Sequence, residues 1–144
     1  MKKGGLSVEF IVTGLVIIAL SVAFIPSCAK RVKQAKEDTV SKNLAAMRSA
    51  IALHCIANEG NYPQGNIANV LIDGAYITHI PKTYSGGHHK SSDKIVLFSN
   101  VQSNDTGEWV YKADDTNDES GRFQGEVWLN CTHKNYKGEV LNEL

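Results

Sequence analysis

The chain carries no net charge: 15 lysines and arginines are matched by 15 aspartates and glutamates. A protein that grips nucleic acid by neutralising phosphates needs a basic excess, so that class is disfavoured. Cysteine is scarce, at positions 28, 55 and 131 only. No two of these stand at C-x-x-C spacing, which argues against a zinc or redox centre built on cysteines. There is no H-E-x-x-H, no G-x-S-x-G, no phosphate-binding loop and no dinucleotide fingerprint. No motif therefore marks an enzyme. No segment repeats, and 144 residues support one modest body.

What the chain does have is an apolar run. Leu6 to Ile25 is apolar or small throughout, except for Glu9. At about 1.5 Å per residue the run is long enough for one membrane span. A carboxylate at the centre of a bilayer costs about 2.5–3.5 kcal/mol on the insertion scale, so Glu9 requires a reason. An ordinary secretory signal has no glutamate inside it and ends on a small-residue cleavage site. A lipoprotein signal would end at Cys28, where Ile25-Pro26-Ser27-Cys28 fits such a box loosely and the proline is awkward. That anchor, carrying a small β-rich binding domain, is the alternative reading. The third reading is a very short leader, after which the apolar helix stays on the mature chain.

Lys3-Gly4-Gly5-Leu6-Ser7-Val8-Glu9-Phe10, followed by an apolar run to Pro26, resembles the N-terminal signature of type IV pilins and type II secretion pseudopilins. It is most similar to a major pseudopilin. That family has a basic leader ending in glycine, a glutamate at the fifth mature position and a proline seventeen residues later, the interval from Glu9 to Pro26 here. Cleavage after Gly4 makes Gly5 the methylated mature N-terminus and Glu9 the fifth residue; cleavage after Gly5 starts the chain at Leu6 and puts the glutamate fourth. The first frame is preferred. The resemblance implies that a prepilin peptidase removes the leader (residues 1–5), that residues 6–29 form the transmembrane and assembly helix, and that residues 30–144 form the soluble domain. It also implies a helical homopolymer assembled with minor pilins or pseudopilins on an inner-membrane platform driven by an ATPase. The single-pass precursor would sit in the bacterial inner membrane and pass into a periplasmic or cell-surface filament, as a structural protein and not an enzyme. Glu9 would lie beside the cationic N-terminus of a neighbouring subunit, each charge compensating the other in lipid. Lys30, Arg31, Lys33 and Lys36 follow the span against Lys2 and Lys3 before it. By charge balance alone the body would stay in the cytoplasm; the resemblance implies the opposite orientation.

Beyond the span, Val40, Leu44, Met47, Ile51 and Cys55 recur at steps of four or three, one face of a helix. A helix from Leu6 to Glu59 is therefore expected, about 80 Å long, apolar in its first half and amphipathic in its second. Pro26 should bend or locally melt it, and Gly60 is expected at the C′ position. A turn at Asn61-Tyr62-Pro63, a short helix over 66–73 and an extended stretch from Gly74 to Tyr84 follow; the Tyr-Pro and Gly-Ala-Tyr-Ile segments share the family resemblance. Strands are expected at Lys94–Ser99, Glu108–Ala113 and Glu126–Cys131. The expected fold is α+β and pilin-like, the long helix packed on a small antiparallel sheet.

Three groups of side chains invite a functional reading. Asp114, Asp115, Asn117, Asp118 and Glu119 offer hard oxygen ligands within six residues. Calcium takes about six to eight oxygens, and the resemblance implies a calcium site in a C-terminal loop, although the spacing is not that of an EF-hand. A solvated turn is the alternative. Cys55 on the apolar face and Cys131 at a strand end are expected to bridge if the body lies outside the cytoplasm, or else to remain buried thiols. His88-His89 reads as solvated loop, because adjacent histidines in a loop seldom converge on one ion. Trp109, Tyr111 and Trp128 are expected to pack the sheet rather than to stack single-stranded nucleic acid.

Overall fold

The computed structural model describes residues 8–100, 105–115 and 121–144, with the side chains of 23–26 and of Asn100 set aside. The chain divides into two units, Met1–Ala35 and Lys36–Leu144. In the first, the described residues belong to helix α1, which spans Val8–Ala57. Helical assignment runs through position 26, so the local melting expected at Pro26 does not occur. In this unit the described apolar side chains have no protein cover: Val8 is 74 % and Phe10 72 % exposed, and Leu15, Val16, Ile17, Ile18 and Leu20 are exposed too. The two described hydroxyls within the run are satisfied by the helix itself. Thr13 donates to the carbonyl of Glu9 at 2.7 Å and Ser21 to that of Ile17 at 2.8 Å, the back-bonding that makes small polar residues tolerable in lipid.

In the second unit the long helix packs against a small three-stranded mixed sheet. The expected stripe is the buried one: Val40, Leu44, Met47 and Ile51 join Ala50 in the core, while Cys55 is only half-buried. Glu37, one turn earlier, is buried too. Its carboxylate accepts from the backbone N–H of Tyr136 at 2.7 Å, and Asp38 accepts from the Tyr136 hydroxyl at 2.8 Å. The helix ends one position before the expected cap. Glu59 takes the left-handed conformation (φ 56°), and Gly60 donates to the carbonyl of Cys55 at 2.8 Å. This is the six-to-one bond of a Schellman end, which puts Glu59 at C′ and Gly60 at C″.

Helix α2, Ile67–Asp73, is capped by Asn66, whose side chain accepts from the N–H of Asn69 at 3.2 Å; Ile67 and Leu71 point into the core. The strands are β1 (Ile95–Leu97), β2 (Trp109–Tyr111) and β3 (Val127–Leu129), in the order β1-β2-β3. Each lies inside its expected segment but is half as long. Backbone bonds continue the β2–β3 pairing on either side, from Gly107 to Asn130 and from Asn130 to Glu108 at one end, and from Lys112 to Glu126 and from Gly125 to Lys112 at the other, while β1 turns into a 3-10 segment at Phe98–Asn100.

The expected all-antiparallel sheet is corrected. β2 and β3 pair antiparallel, but β1 pairs parallel with β2, Ile95 facing Trp109 and Leu97 facing Tyr111. The physical reason is the connection: residues 98–108 are enough chain to cross over and return to the same end, which a tight hairpin cannot do. The central strand is buried throughout, and its aromatic side chains fasten the irregular segments. Trp109 Nε1 donates to the carbonyl of Pro81 at 2.6 Å and the Tyr111 hydroxyl to that of Pro63 at 3.1 Å. The Tyr-Pro turn and the extended stretch are thus held by the sheet.

Candidate functional site

The first candidate is the helix surface of residues 8–22. It holds one ionisable side chain, Glu9, which is exposed and surrounded in sequence by exposed valine, phenylalanine and isoleucine. The helix carries an 18-residue window of mean hydropathy 2.6 with none of it buried, long and apolar enough to cross a membrane. Gly4, Gly5 and Leu6, the residues of the expected cleavage, lie outside the described residues, as does the side chain of Pro26.

The acidic loop is divided in the same way. Asp114 and Asp115 are exposed just after β2, and Asn117, Asp118 and Glu119 lie outside the described residues. Past them the chain is anchored by Arg122. Its guanidinium binds Glu126 Oε1 and the carbonyl of Asn142, both at 2.5 Å, and lies 4.6 Å over the ring of Trp128. Trp109, Tyr111 and Trp128 are all buried, so none of the three is an open stacking platform.

The cysteines do not pair. Cys28, Cys55 and Cys131 are free thiols, and the two weighed as a bridge have different neighbours. Cys55 lines an apolar hollow with Ile51, Ile56, Tyr62 and Phe123. Cys131 is fully buried, with its Sγ 3.4 Å from Nδ1 of His133.

That contact belongs to a cluster that sequence reasoning missed. His89, Asp105, Cys131 and His133 each bring a ligand atom to one place, all within 4.8 Å of one another, the one such group among the described residues. Asp105 is its centre. Its Oδ1 accepts from His89 Nε2 at 3.0 Å and from the N–H of Thr132 at 3.1 Å, and its Oδ2 lies 3.5 Å from His133 Nδ1. The ring of His88 stacks on that of His133, centroids 3.9 Å apart and nearly parallel. Cys131 and His133 are two residues apart beyond β3, Asp105 precedes β2, and His89 comes from the loop before β1.

The loop is shaped to deliver His89. The N–H of His89 bonds Ser85 Oγ at 2.9 Å, and that of His88 the carbonyl of Ser85 at 3.1 Å. Thr83 closes the loop: its N–H meets the carbonyl of Ser92 at 2.8 Å, and its buried hydroxyl donates to the carbonyl of Gly107 at 2.7 Å. Gly107 itself has φ 72°, and a Cβ there would stand 2.5 Å from Cβ of His89. Only glycine allows both that backbone and that approach.

The electrostatics suit an anionic centre. Desolvation is the largest single influence on Asp105 and pushes its pKa up. Hydrogen bonds from Thr132 and His89, with the charges of both histidines, outweigh it and hold the carboxyl below its usual value. Burial pushes the Cys131 thiol up, and the Asp105 charge adds to this. Histidine, cysteine and carboxylate are all transition-metal ligands. The readable signal was Cys131-Thr132-His133 at a strand end, two ligand types on the same side of an extended chain.

Comparison with protein-family models, with curated proteins and with solved structures finds no match.

Proposed function

We propose that this chain is a structural subunit of a pilin-like filament, of the type IV pilus or type II secretion pseudopilus kind, that polymerises through its N-terminal helix. One observation carries the reading: a lone carboxylate, Glu9, opens an apolar helix whose side chains have no cover in the protein. A plain membrane anchor has no use for that charge, whereas a stack of such helices places it beside the amine of a cleaved neighbour. Pro26 seventeen residues on, the Gly4-Gly5 leader end and the small α+β body after the span support the same reading. In it the span first holds the subunit in the inner membrane, and the same surface then packs against other helices in the filament core.

The test is Glu9→Ala in cells that assemble the filament. Sheared-filament yield is expected to fall severalfold while the level of membrane-held monomer is unchanged; equal yields would overturn the assembly role. Mass spectrometry of the mature chain separates the readings independently. A start at Gly5 or Leu6 supports leader cleavage, and a lipid-modified start at Cys28 supports the anchored binding domain instead.

A further inference from the structure

We propose that His89, Asp105, Cys131 and His133 form a structural zinc site, binding one Zn²⁺ through Nε2, a carboxylate oxygen, Sγ and Nδ1. Two imidazoles, a thiolate and a carboxylate are a donor set for a borderline-soft ion with tetrahedral preference, and not for calcium or magnesium, which take oxygen. The spacing fits as well. Ligands at about 2.0–2.3 Å from a tetrahedral ion lie roughly 3.3–3.8 Å from one another. Three edges of the cluster are 3.0 Å from His89 Nε2 to Asp105 Oδ1, 3.5 Å from Asp105 Oδ2 to His133 Nδ1 and 3.4 Å from Cys131 Sγ to His133 Nδ1, and the whole set of ligand atoms lies within 4.8 Å. An ion would replace these direct contacts with small movements of side chains already facing one another.

The same geometry argues against a cysteine nucleophile. In a catalytic triad the base receives the nucleophile's proton on one ring nitrogen and is oriented through the other. Here Cys131 and Asp105 both approach the same atom, Nδ1 of His133. A sulfur, a carboxylate oxygen and a ring nitrogen drawn to one place, with His89 Nε2 beside them, are the corners of a site that a shared cation would fill. Four protein ligands leave no open position, the arrangement of a structural and not a catalytic zinc. The ion would join the 83–92 loop, the approach to β2 and the exit from β3. In a body whose two cysteines, Cys55 and Cys131, are free, it would supply the long-range cross-link that a disulfide would otherwise give. The site does not depend on filament assembly.

The experiment uses the full chain in detergent micelles, stripped with chelator and titrated with Zn²⁺ alone. One equivalent is expected to bind and to raise Tm by several degrees, since a ligand that binds only the folded state stabilises it by mass action. Co²⁺ in its place is expected to give tetrahedral d–d bands and a thiolate-to-cobalt charge-transfer band that Cys131→Ser abolishes. His89→Gln and His133→Gln replace half-buried side chains and are expected to keep the body folded, as circular dichroism would check; each is expected to weaken Zn²⁺ binding by at least about tenfold. Asp115→Ala is expected to leave it unchanged. The proposal is overturned if the stripped chain binds no Zn²⁺ at micromolar concentration. It is equally overturned if binding keeps its affinity in both histidine variants, because the ion then sits on Cys28, Cys55 or the remaining histidines.

Discussion

Leu71 in the body and Ile17 in the N-terminal helix are aliphatic side chains of equal size, yet Leu71 is wholly buried and Ile17 is 59 % exposed. The two regions are ordered by different means. From Lys36 onward the helix is held by a core of its own, with a stripe of Val40, Leu44, Met47 and Ile51 set against Trp109, Tyr111, Val127 and Leu129. Before that point its described apolar side chains are exposed, and the hydrophobic effect offers them nothing until lipid or another helix covers them. The lesson is that burial within one chain reports stability only where that chain supplies its own cover.

The widest break in this comparison comes from truncating one side chain in each region. Leu71→Ala should cost the body about 2–5 kcal/mol, the range for a large-to-small change in a packed core. Ile17→Ala should leave the urea or thermal midpoint of the detergent-solubilised chain within about 0.5 kcal/mol of the parent, even though the side chains are alike. Equal losses would mean that the N-terminal helix is already buried against the protein.

A pH titration sharpens the contrast, since the body is tied to its helix by carboxylates. The hydroxyl of Tyr136 and the ammonium of Lys137, 3.2 Å away, hold the Asp38 carboxyl below its usual range. A carboxyl whose folded pKa is depressed adds stability above its unfolded value, near about 3.9, and loses it as pH falls through the folded value. The gap in Tm between pH 7 and pH 3 should therefore narrow in Asp38→Asn, where the charge is gone at both ends. An unchanged gap would assign the acid sensitivity to other carboxylates.

The smallest effect is expected at the helix end. Glu59 occupies a left-handed conformation that glycine adopts freely. Glu59→Gly should raise stability, by no more than about 1 kcal/mol, because the extra freedom of glycine in the unfolded chain offsets part of the relief. A loss of stability would show that the Glu59 side chain contributes a contact of its own.

The parts of the fold that follow from local periodicity were legible. The stripe from Val40 to Ile51, the short helix α2 and the positions of all three strands could be read from spacing and turn residues alone. Strand direction could not, because an alternating pattern is the same read either way and β1 owes its parallel pairing to a crossover. The Schellman end was misplaced by one residue for a similar reason: Gly60 attracts the C′ position, but the hydrogen bond to Cys55 assigns it to C″. The metal-ligand cluster was hidden because its members, at 89, 105, 131 and 133, meet only once the register of β2 with β3 is set. Besides the Cys131-Thr132-His133 spacing, Gly107 was the other local trace, and a lone glycine before a strand is too common to be read as room for a histidine ring.

The clasp between Glu37 and Tyr136 also sets the order in which the body can form. These residues are 99 positions apart, so the first turn of the helix's buried stretch is fastened only when the C-terminal segment has folded back onto it, whereas Ile67, Leu71 and Ile80 join the core with the later turns from much nearer in sequence. Loop closure over that distance is entropically expensive before any contact compensates it, and topologies dominated by such contacts fold in milliseconds to seconds rather than microseconds.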